Sequence, residues 1–139
     1  MQLNSHRKLN YLFLFTLAII THFSCQNFSR NDIHGRWEGN INNKKIIFNF
    51  DDNKICTLTI NNSTTNSIFT VVGEYKIDFN KKPISLSINN IPNFDFPLYT
   101  ILDIKDSNSI HLSYFSKHWK TRPIAFEKNQ TIFLKRIKF

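Results

Sequence analysis

The chain has 139 residues and a formal net charge of +8, with 41% hydrophobic and 20% charged residues. That balance fits one packed domain and excludes a disordered charged tail. It holds three glycines, too few for a Gly-rich phosphate loop, against fourteen phenylalanines.

Residues 1–8 carry His6, Arg7 and Lys8 and no acid. An apolar stretch follows from Leu9 to Thr21, shorter than the roughly 20 residues of a spanning helix. A basic head and a short apolar core predict a secretory signal over residues 1–24. The stretch closes in His22-Phe23-Ser24-Cys25, which resembles a bacterial lipobox, with His22 where leucine is common. The resemblance implies cleavage before Cys25, lipidation of Cys25 and a membrane-bound mature protein. Several acyl chains anchor stably where one is marginal. Gln26 stands where an Asp would retain a lipoprotein at the inner membrane. The resemblance therefore implies an outer-membrane lipoprotein facing the periplasm. Residues 25–32 then read as a lipidated tether, and 33–139 as the folded domain.

From residue 33 on, apolar residues recur with period two, the pattern of half-buried strands. Ile46, Phe48 and Phe50 alternate with Ile47 and Asn49, and Cys56, Leu58 and Ile60 with threonines. Tyr75, Ile77 and Phe79 repeat the pattern, as do Ile84, Leu86 and Ile88, then Ile110, Leu112 and Tyr114. Asn- and Asp-rich breaks separate the runs, and both residue types favour tight turns. Eight strands are predicted, at about 34–40, 44–51, 54–61, 67–79, 84–89, 98–105, 109–115 and 131–138. The fold class is all-β. Short connections favour an antiparallel up-and-down barrel, which removes sticky edges; a β-sandwich is the alternative.

Gly35-Arg36-Trp37 on the first strand resembles the Gly-x-Trp signature of lipocalin-like barrels. The order of Glu74–Asp78, Pro83–Leu86, Leu98–Ile101, Thr121–Phe126 and Leu134–Arg136 is similar to a lipocalin-like family of small exported bacterial proteins. The resemblance implies barrel closure by Trp37 packed against a last-strand arginine, Arg136. Such a contact is worth about 0.5–2 kcal/mol. Cys56, in phase with Leu58 and Ile60, reads as a buried small residue. Phe48, Phe50 and Phe79 are expected to fill much of a short barrel, leaving at most a small pocket at one mouth. Phe94-Asp95-Phe96-Pro97 is a candidate lid whose rings also suit pinning to the core.

Nothing in the sequence obliges an enzyme. Gly-x-Ser-x-Gly, His-Glu-x-x-His and Cys-x-x-Cys are all missing. His34, His111 and His118 lack metal-like spacing, so no metal or other cofactor is expected. Asp51-Asp52, Asp103 and Asp106 sit in or beside predicted turns. Charge is unevenly spread. Eight bases and eight acids cancel over residues 25–104, whereas residues 105–139 hold eight bases against Asp106 and Glu127. The densest piece runs from Lys117 through Trp119 and Lys120 to Arg122. These four residues are the candidate rim for a ligand or partner. The expected function is that of a lipid-anchored envelope protein holding a small apolar or amphipathic ligand at a barrel mouth. The alternative is an inhibitor, immunity or assembly factor docking an acidic protein. Nucleic acid is not an expected partner of an exported protein.

Overall fold

The structure is a computed structural model that describes residues 33–138. The expected signal at 1–24, the expected lipidation site Cys25 and the expected tether at 25–32 lie outside the described residues. Eight strands follow in chain order: β1 Gly35–Ile41, β2 Lys44–Phe50, β3 Ile55–Asn62, β4 Ser67–Asp78, β5 Ile84–Asn89, β6 Leu98–Asp106, β7 Ser109–Leu112 and β8 Ile132–Arg136. Each pairs antiparallel with the next, and β8 pairs with β1, giving a closed up-and-down barrel rather than a sandwich.

The hairpins follow from their turn residues. Asn42 and Asn43 both take positive φ, 47° and 61°, as a two-residue turn matched to strand twist requires. Asp51 ties the β2–β3 turn by accepting the Ile55 N–H at 2.7 Å. Asp106 ties the β6–β7 turn by accepting the Asn108 N–H and the Ser109 hydroxyl, both at 2.7 Å. These hydrogen bonds hold the Asp106 carboxyl below the usual carboxylate range. Those carboxylates therefore serve the backbone.

An up-and-down barrel has two distinct ends. One, here called the mouth, carries the β1–β2, β3–β4, β5–β6 and β7–β8 connections. The other, the floor, carries the β2–β3, β4–β5 and β6–β7 turns together with Ile33 and the end of β8.

The floor is closed by Trp37. The indole is fully buried and donates from Nε1 to the Ile33 carbonyl at 2.8 Å. Arg136 is its cross-strand partner, with Cζ 4.2 Å from the ring centroid. Its guanidinium also donates to the Ser107 carbonyl at 2.6 Å and to the His34 carbonyl. Gly35 permits this approach. It holds φ 111°, and a Cβ there would meet Arg136 Nη1 at 3.0 Å.

Above the floor the interior is filled by side chains, with Phe48, Phe50, Leu86, Ile88, Leu102, Ile110, Leu112 and Leu134 all buried. Phe48 and Phe50 stack at 5.7 Å, and Tyr75 meets Phe50 edge-on at 5.1 Å. The Tyr75 hydroxyl is satisfied by the Asp51 carbonyl at 3.0 Å. Cys56 lies in this core as a free thiol. Burial, and after it the Asp51 carboxylate, push its pKa up to about 12, so it stays a neutral, unreactive packing residue.

Candidate functional site

Burial falls off towards the mouth. Ile46, Leu58 and Val71 are buried, whereas Ile41, Ile60 and Leu98 are only partly covered. Phe69 stands on the inner face of β4 opposite Ile60 and remains 49% exposed. It begins a file of rings. Phe94, on the β5–β6 connection, lies 6.4 Å from Phe69, and Phe96 meets Phe94 edge-on at 5.3 Å. Lys117 ends the file, with Nζ 4.6 Å from the Phe96 centroid. The β5–β6 connection thus sets its two half-buried rings beside the mouth, with the backbone turning through positive φ at Asn90 and Asn93.

The long β7–β8 connection supplies the cations. Its first residues stay against β6: Ser113 N–H donates to Ile101 O at 3.1 Å, and Ser116 and Tyr99 exchange two backbone bonds at 2.8 Å. The Ser116 hydroxyl then accepts the His118 N–H at 3.2 Å and lies 2.6 Å from the Thr121 hydroxyl. This knot fixes a short 3-10 turn over Trp119–Thr121. It leaves Trp119 67% exposed, with Lys120 Nζ 5.9 Å from its centroid. Lys117, Trp119 and Lys120 are all solvent-facing. Arg122 follows directly after this turn. It is half-buried, and its Nε is shielded from solvent without a hydrogen-bond partner. Among the four rim residues, the structure joins Lys117 directly to the mouth aromatics. Phe69 was not singled out by the sequence, although its place in the 67–79 alternation puts it in phase with Val71, Tyr75 and Ile77.

The surface also carries concave features away from the mouth. A groove of about 620 Å³ lies outside the barrel between the β2–β3 turn and β4. Its lining sets Asp52 and Glu74 against Lys54 and Lys76, so its charge cancels. His34 is tied there to Asp52, Nδ1 to Oδ1 2.8 Å. Among the described residues no three His, Cys, Asp or Glu side chains gather as metal ligands.

On the outer wall, His111 packs edge-on against Phe133 at 4.6 Å. Burial, then the Lys105 cation, hold its pKa below the ordinary histidine value of 6.5, against a smaller opposing pull from Asp103. The unfolded chain therefore binds the proton more readily than the barrel. Stability is full above about pH 6.5 and declines as pH falls through the lower folded value. His111→Gln is expected to reduce the loss of melting temperature between pH 7.5 and pH 5; an unchanged loss would assign acid sensitivity to other groups.

No family model, curated protein or solved structure matches this chain.

Proposed function

We propose that this chain is a lipid-anchored binding protein of the bacterial cell envelope, with a lipocalin-like barrel that holds a small amphipathic molecule across its mouth. The observation that carries the reading is the file from Phe69 through Phe94 and Phe96 to Lys117. An apolar tail would lie on the rings, and an anionic head would meet Lys117 and Lys120. The filled interior supports a ligand seated at the rim, outside the depth of the barrel. The basic head, short apolar core and Cys25 support export, lipidation and an outer-membrane home. The described chain begins at the floor, the end opposite the mouth. The role proposed is binding without catalysis.

Native mass spectrometry of the full chain released from its host membranes tests this. A retained small amphiphile is expected, and it should be lost when Phe69→Ser and Lys117→Glu are combined. Membrane fractionation should likewise be lost in Cys25→Ala. A second reading rests on Trp119, which stands exposed beside Lys120 and takes no part in the ring file. It makes the basic connection a dock for an acidic protein, and a salt-sensitive protein partner on an empty barrel would favour it.

A further inference from the structure

β4 is twelve residues long and β5 only six. The two pair from Glu74 to Asp78, whereas β3 accompanies β4 from Ser67 to Glu74. Among the described residues, the mouth half of β4 therefore has a paired strand on one side alone. The direction of its backbone groups is fixed by Tyr75, whose N–H donates to Lys54 O at 2.8 Å on the β3 side. Odd-numbered residues of β4 turn their N–H and C=O towards β3, and even-numbered ones away. Ile68, Thr70 and Val72 thus present backbone donors and acceptors along an open edge, where no described residue bonds them. Their side chains stand on the outer wall, with Ile68 70% and Val72 43% exposed.

Natural sheets blunt such an edge with lysines, proline or a bulge. From Ser67 to Gly73 there is no charge, no proline and no bulge against β3. The outward residues read Ile, Thr, Val, which is nearly symmetric about Thr70.

We propose that the open edge of β4 pairs antiparallel with the same edge of a second copy, the two-fold axis passing through Thr70. That register sets Thr70 opposite Thr70 and Ile68 opposite Val72, both ways round, on the outer wall. It sets Phe69 opposite Val71 on the inner face. Each of these three kinds of pair contains a β-branched residue, which suits cross-strand packing, and the flanking pair is Ser67 opposite Gly73. The strip is self-complementary, as a two-fold contact demands. Charge favours a second copy over an acidic partner. The chain is basic overall, and this uncharged strip lets two copies meet without repulsion while offering an acidic protein no cation. The chain's own amino-terminal segment joins at Ile33, at the floor and across β2 and β3 from this edge. The pairing is made by backbone groups of even-numbered residues and requires no ligand, although its register brings Phe69 of the ring file to the join.

Cross-linking of the full chain in cells tests the proposal. In the proposed register, residues 70 and 70 form a hydrogen-bonded pair with Cα atoms about 5.5 Å apart, within disulfide range. Thr70→Cys is expected to give a disulfide dimer under mild oxidation. Wild type, with the same native cysteines, should not, and neither should Asn40→Cys, an exposed control on β1. Adding Ile68→Lys with Val72→Lys opposes like charges twice and should reduce the dimer at least tenfold. Adding Ile68→Lys with Val72→Glu opposes unlike charges at the same positions and should retain it. The proposal is overturned if Thr70→Cys yields no dimer or cross-links only to another protein. It is also overturned if Asn40→Cys dimerises equally, or if the two charge variants behave alike.

Discussion

Trp37→Ala is expected to destabilise the barrel by about 3–5 kcal/mol, the range for deleting a buried aromatic side chain. Three losses fall on one site. The cavity would sit in the floor, where Ile33 and Trp37 are both fully buried. The Ile33 carbonyl would lose the indole N–H that it accepts at 2.8 Å. The Arg136 guanidinium would lose the ring it covers at 4.2 Å while keeping its carbonyl partners. Urea unfolding followed by circular dichroism checks this, with Trp119→Ala as the comparison. Trp119 is exposed, so its loss should cost within about 0.5 kcal/mol. Equal effects at the two positions would remove the floor from its place in holding the fold.

Gly39→Ala carries the next largest effect. A Cβ at this position would lie 2.3 Å from the Phe133 carbonyl oxygen and 2.8 Å from Leu134 Cδ2. The nearer obstacle is backbone, so β8 must move bodily away from β1. That seam is short, its register covering Trp37 with Arg136 and Glu38 with Lys135. Overpacking ordinarily costs about 1–3 kcal/mol, and a clash with backbone belongs at or above the upper end. Replacing glycine would otherwise stabilise by about 0.4–1 kcal/mol through the unfolded chain, which is too little to offset it. A lowered urea midpoint is expected, together with faster hydrogen exchange in β8. An unchanged midpoint would mean that the seam can widen at no cost.

The strands were legible because a two-residue period leaves a repeated mark. Cys56, Leu58 and Ile60 lie in phase on β3 as their alternation with threonines requires, and Asn42-Asn43 forms the expected tight turn. The ends were less legible. The last part of the expected 109–115 run leaves the β7–β8 ladder after Leu112, because β8 begins at Ile132 opposite it. Residues up to Ser116 stay against β6 instead. The candidate site was only half readable. Lys117, Trp119 and Lys120 announce themselves by composition, but irregular backbone has no period, and nothing in the spacing marks Arg122 as half-buried. The ring file depends on Phe69 and Phe94 meeting across twenty-five positions of chain, a long-range contact that alternation does not encode. The β4 overhang could have been seen, since a run at 67–79 faces one at only 84–89.

The placement of Ile33 has a mechanical consequence. Its carbonyl is latched to Trp37, and Trp37 sits in the short seam between β1 and β8. A force pulling on the preceding chain therefore meets that latch at the floor end of β1. The load then reaches both neighbours of β1, the seven-pair ladder with β2 from Gly35 onward and the two-pair register with β8 from Trp37 onward. Drag from that end would be resisted jointly by the indole latch, the guanidinium over the ring and the two strands flanking β1.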